Sequence, residues 1–184
     1  MAAMESLRYP IGRFQWQGGS SPRDRSEWIG TIATTPQRLQ NAVAGLSERQ
    51  LDTSYRDGGW TVRQVVHHYA DDHMNTYIRF KLALTEETPA IKPYSEASWA
   101  ELPDARTSPI EASLALLSAL HERWILAWRS LQESEWGRIF VHPTRGAVSL
   151  DHLAALYAWH GLHHVAQITG LRQRSGWMPP EWTS

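Results

Sequence analysis

The chain contains no cysteine. Disulfides, thiolate-bound zinc, iron–sulfur clusters and a cysteine nucleophile are therefore excluded. Any metal must be held by nitrogen and oxygen ligands, and any thiol chemistry must draw its sulfur from outside. A basic surplus is also missing: 18 Lys and Arg stand against 19 Asp and Glu, a net charge of -1. That balance does not suit a phosphate backbone, so nucleic acid is not an expected partner. No stretch approaches the roughly 20 apolar residues of a membrane span. Residues 1–12 are broken by Glu5, Arg8 and Pro10 and lack the apolar core of a secretory signal. A cytoplasmic protein without membrane association is the expectation. Several catalytic signatures are absent too: no Gly-x-Ser-x-Gly elbow, no phosphate-binding loop, no Gly-x-Gly-x-x-Gly and no His-Glu-x-x-His.

What remains is an ordinary globular composition, 42% hydrophobic and 20% charged over 184 residues, which suits a single domain spanning 1–184. Residues 1–22, with Pro10, Gly12, Gly18, Gly19 and Pro22, read as an extended N-terminal arm. Four helical stretches follow, at about 23–46, 61–85, 109–131 and 149–176. Pro36 should kink or split the first, and Ser149 suits the N-cap of the fourth. A long loop, 86–108, separates the second and third. Residues 138–148 suit a short hairpin around Arg145-Gly146. This pattern predicts an all-α, four-helix bundle.

The nine histidines carry the chemistry. At 100° per residue, Leu153, Tyr157, His160, His164, Ile168 and Leu171 share one stripe of the fourth helix, so two imidazoles lie on a face that should be buried. Their i, i+4 spacing projects both rings from one side, one turn apart. Two nitrogens can then meet one cation, and a third ligand from another helix would leave a position open for water or substrate. His67, His68, His73 and His121 are the candidates for that third ligand. Helix phase puts His68 on a polar stripe with Thr61, Gln64, Asp72, Asn75 and Arg79. His121 falls on an apolar stripe, where a hydrogen-bonded core histidine is the simpler reading. His163 reads as a surface residue, and Asp57-Gly58-Gly59 as a turn feeding the second helix.

These segments resemble the DinB/YfiT-like superfamily of four-helix metal proteins, nearest to its YfiT type of metal-dependent hydrolases and bacillithiol S-transferases. The resemblance is carried by Tyr9-Pro10-Ile11-Gly12, YRDGGWTVRQVVHH at 55–68, HMNTYIRFKLALTEETPAIKPY at 73–94, LHERW at 120–124, His142-Pro143 and LYAWHGLHHVAQI at 156–168. It covers most of the chain in matching order. It implies one ligand early in the second helix, eight residues after a tryptophan, and two on the fourth. Trp60 plus eight gives His68, so the implied metal ligands are His68, His160 and His164, with His67 as the fallback.

Three neutral imidazoles would leave a divalent ion its full charge, a Lewis acid able to lower the pKa of a bound water or thiol. All-nitrogen ligation suits zinc or nickel, with cobalt or iron as further choices; zinc is the expectation. The resemblance implies transfer of a low-molecular-weight, bacillithiol-like thiol to an electrophilic small-molecule substrate. The alternatives are a hydrolase working through metal-bound hydroxide, and a non-catalytic helical protein that binds metal or a small ligand. Arg56, Arg63 and Arg79 are candidate receivers for a carboxylate of the thiol. The resemblance also implies a homodimer, with the arm clasping a partner or wrapping its own bundle and the 86–108 loop over the site mouth or at that interface.

Overall fold

The computed structural model describes residues 2–177; residue 1 and residues 178–184, the two ends of the expected 1–184 domain, lie outside the described residues. Among the described residues, eight α-helices and one hairpin follow in order, with a 3-10 turn at Glu133–Glu135 before the hairpin: α1 Ala2–Arg8, α2 Pro22–Val43, α3 Glu48–Leu51, α4 Val62–Thr85, α5 Glu96–Trp99, α6 Pro103–Thr107, α7 Glu111–Arg129, β1 Ile139–His142, β2 Gly146–Ser149 and α8 Leu150–Ser175. The four long helices, α2, α4, α7 and α8, form the bundle. Helices α2 and α4 each pack on both α7 and α8.

Local chemistry sets the helix starts. Ser21 caps α2 in a reciprocal box with Asp24, and Pro22 occupies the first turn, where its missing N–H costs nothing. Thr61 caps α4 through the same device with Gln64. Ser149 accepts from the His152 amide at 3.1 Å and starts α8 as expected. The helix ends at Gly176, whose φ of 68° suits glycine. The hairpin pairs Ile139 with Ser149 and His142 with Gly146.

Three expectations need correction. Helix α2 runs unbroken from Pro22 to Val43 with Pro36 buried inside it. Proline cannot donate to the carbonyl of Ile32, four residues back, but His121 Nδ1 from α7 lies 2.9 Å from that oxygen and satisfies it. The N-terminal arm is helical over Ala2–Arg8 and extended only beyond it. It lies along its own bundle: the Trp159 indole donates to the Gly12 carbonyl at 3.2 Å, and His152 stacks between Phe14 and Trp16. The 86–108 loop contains the short helices α5 and α6, and its Gln64 partner, the Ala100 carbonyl, accepts a buried bond at 2.7 Å.

Two apolar clusters fill the bundle. One gathers Ile32, Phe80, Trp124, Trp128, Phe140 and Leu153; the other gathers Leu39, Val62, Val66, Tyr69, Leu117 and Ile168. A layer of histidines lies between them, since His73 stacks on Tyr69 of the second cluster and meets Trp124 and Tyr157 of the first edge-on.

Candidate metal centre

His68 comes from the first third of α4 and His160 and His164 from the middle of α8. One nitrogen from each of the three rings lies within 4.8 Å of the others. The ring of Trp60, just ahead of the Thr61 cap, packs 4.6 Å from that of His68 and holds it in place. His67, the fallback, points elsewhere: its nitrogens meet Ser113 Oγ at 2.8 Å and the Ser108 carbonyl at 3.2 Å.

The donor set fits a cation. The Gln167 amide nitrogen donates to the Arg8 carbonyl at 3.0 Å, which turns its oxygen toward His164 Nδ1 at 2.8 Å. That bond places the His164 proton on Nδ1 and leaves a lone pair on Nε2. His160 Nδ1 is engaged by His73 at 3.3 Å. With the His160 proton on Nδ1 as well, the two Nε2 atoms would face each other as lone pairs at 3.1 Å. Opposed lone pairs at that distance repel unless a cation lies between them. Burial holds all three imidazoles below the usual range; neighbouring histidines add to the effect at His160 and His164, which lie well below it, while Asp72 and Glu96 oppose it at His68. They are therefore neutral near pH 7, the ligating form.

Asp72 adds a carboxylate beside the cluster, its Oδ2 3.6 Å from His160 Nε2. It accepts from the Tyr157 hydroxyl at 2.7 Å and the Tyr94 hydroxyl at 3.2 Å, while Thr76 bonds to Tyr157 in turn. Asp72, His73 and His160 also cluster closely, but both His73 nitrogens are already engaged by His121 and His160.

A cavity of about 820 Å³ opens over the rings. Arg8, Arg56, Arg79 and Arg145 line it, against Asp72 and Glu96, so the mouth favours an anion. Tyr94 and Glu96 bring the 86–108 loop to this mouth, and Trp159 forms part of its wall. Arg63 does not take part. It is buried and paired with Asp52 at 2.7 Å and Glu48 at 2.6 Å. His163, read as a surface residue, is buried and meets the Gln167 amide nitrogen at 3.0 Å. Asn75 turns back to the Asp71 carbonyl at 2.8 Å. The roles of Tyr94, Tyr157 and Gln167 were not legible in the sequence: an isolated tyrosine or glutamine carries no spacing signal, and Tyr157 counted as apolar stripe.

The model of the DinB superfamily matches residues 31–168. The chain belongs to the DinB superfamily. Among its relatives, the Bacillus subtilis protein named "Putative metal-dependent hydrolase YfiT" is 50% identical over 173 residues, covering 94% of this chain and 97% of its own. A protein of Oceanobacillus iheyensis carrying the same description is 53% identical over 170 residues, covering 92% of this chain and 98% of its own. The solved structure of YfiT, described as a probable metal-dependent hydrolase with an unusual four-helix bundle topology, superposes with a TM-score of 0.92 and covers 94% of this chain and 99% of that one. The DinB four-helix bundle expected from the sequence is therefore the fold of this chain. In this member of the superfamily the histidine cluster sits at the floor of an open, arginine-lined cavity.

Proposed function

We propose that this chain is a metal-dependent enzyme in which His68, His160 and His164 hold a divalent ion, zinc by preference, that activates a nucleophile against an anionic small-molecule electrophile. The observation that carries this reading is the pair of Nε2 atoms facing each other at 3.1 Å. When bound, the ion supplies Lewis acidity, which lowers the pKa of a water or thiol it contacts. The chain's own residues do the rest. Gln167 orients His164, and Trp60 packs against His68. The four arginines of the mouth attract an anion toward the cluster.

The nucleophile we favour is a low-molecular-weight thiol. The chain has no cysteine to supply sulfur, and a cavity of about 820 Å³ has room for a thiol cosubstrate beside its electrophile. Hydrolysis is the second reading, and Asp72 favours it: a carboxylate 3.6 Å from His160 Nε2 is placed to take a proton from water. The names of the relatives point the same way. Incubation with a thiol and monochlorobimane separates the two, since a transferase forms the conjugate and a hydrolase does not. Elemental analysis should find about one metal ion per chain, and His160→Ala should lose metal and activity together. Full activity in metal-free protein would overturn both enzymatic readings.

A further inference from the structure

Behind His160 stand two more histidines that lie outside the cavity over the cluster. His73 and His121 are 0% and 2% exposed. They form one line with His160: the Ile32 carbonyl lies 2.9 Å from His121 Nδ1, His121 Nε2 lies 2.8 Å from His73 Nδ1, and His73 Nε2 lies 3.3 Å from His160 Nδ1. One end of this line has a fixed polarity. A carbonyl oxygen only accepts, so His121 carries its proton on Nδ1. A neutral imidazole has a single N–H, so His121 Nε2 accepts and His73 must carry its proton on Nδ1. The same step repeated puts the His160 proton on Nδ1 and its lone pair on Nε2, toward His68 and His164.

The origin of the line is Pro36. An ordinary residue there would give its amide to the Ile32 carbonyl, whereas proline leaves that oxygen for His121. Reversing the line has a specific cost. With its proton on Nε2, His73 would donate to His160 Nδ1, and the His160 proton would move to Nε2, where it blocks a metal.

We infer that His121 and His73 are positioning residues, which transmit the polarity of the Ile32 carbonyl through two imidazoles and so fix His160 in the tautomer that presents Nε2 to a metal. The inference rests on His160 being a ligand. Outer partners of ligating histidines typically change metal affinity by roughly 10–100-fold.

Long-range nitrogen–proton correlation spectra of the metal-free protein read each histidine tautomer directly. The expected pattern is Nδ1–H at His121, His73 and His160; Nε2–H at His121 or His73 overturns the inference. His121→Leu removes the acceptor that faces His73. It should give mixed tautomers at His160 and weaken Zn(II) and Co(II) binding about tenfold or more in chelator competition. His121→Gln restores an acceptor and should recover most of that affinity. A folded His121→Leu with unchanged tautomers and unchanged affinity overturns the inference. If His121→Leu does not fold, the wild-type spectra still decide. Wild-type protein that binds no Zn(II) sinks the metal-centre reading itself, while the tautomer pattern separately decides the polarity of the line.

Discussion

At the scale of single residues, the adjacent pair His67 and His68 shows what spacing resolves and what it leaves open. The i, i+4 pair on α8 was legible because both rings fall on an apolar stripe, where a polar group needs a partner. The choice between His67 and His68 was not legible from helix phase, which put His68 on a stripe of polar residues that reads as solvent-facing. In the folded chain that stripe is covered: Gln64, His68 and Asp72 are all buried. Two consequences follow for mutation. His68→Ala should lower metal content to well under one ion per chain by elemental analysis. His67→Ala should leave it unchanged, at a cost of about 1 kcal/mol for the lost hydrogen bonds to Ser113 and Ser108. Metal loss in the His67 variant with retention in the His68 variant would reverse the assignment. Asp72→Asn keeps the size of the side chain and removes its charge. With the carboxylate 3.6 Å from His160 Nε2, metal affinity should fall about tenfold, measured by chelator competition, with the fold retained by circular dichroism.

Among elements, the arrangement of α8 against α2 decides whether His160 and His164 reach His68 on α4. Gly161 lies between His160 and His164 in the chain and marks a close approach. A Cβ there would stand 2.6 Å from Thr35 Oγ1 and 2.9 Å from the Tyr69 hydroxyl. Thr35 is buried on α2 and Tyr69 on α4, so both neighbours have little room to move. Gly161→Ala should therefore destabilise the protein by about 1–3 kcal/mol in urea unfolding, despite the better helix propensity of alanine. No loss of stability would mean that α2 and α4 can move away from α8 at little cost. The long helices themselves were legible from periodicity and caps. Pro36 does not split α2, because the carbonyl it leaves without an amide partner is met by a distant donor on α7 that no local pattern reveals. The same holds for the 86–108 loop. Its prolines mark irregular chain, but only the packed structure shows α5, α6 and Tyr94 closing over the polar side of α4.

For the whole molecule, the central consequence is that several histidines are buried in neutral form. Burial lowers His121 and His163 to about 4, and holds His73, His160 and His164 well below the usual range. An unfolded chain protonates these groups near pH 6.5. Between about pH 6.5 and 4 the unfolded state therefore binds more protons than the folded one, and stability falls as the pH falls. For His121 alone, the linkage relation with 6.5 unfolded and about 4 folded gives a loss on the order of 1 kcal/mol on going to pH 5.5. The other buried imidazoles add to it in the same direction. Against a typical total of about 5–15 kcal/mol, acid should unfold the metal-free protein cooperatively within this window, even though no buried carboxylate pair is needed to explain it. On the proposed ligation, zinc would compete with the same protons at His68, His160 and His164, so saturating metal should move the acid midpoint downward. Urea titrations at pH 7.5 and 5.5, with and without Zn(II), test both statements. A stability that stays level across that range in the metal-free protein would mean that water reaches the inner pair, His73 and His121, in the folded chain.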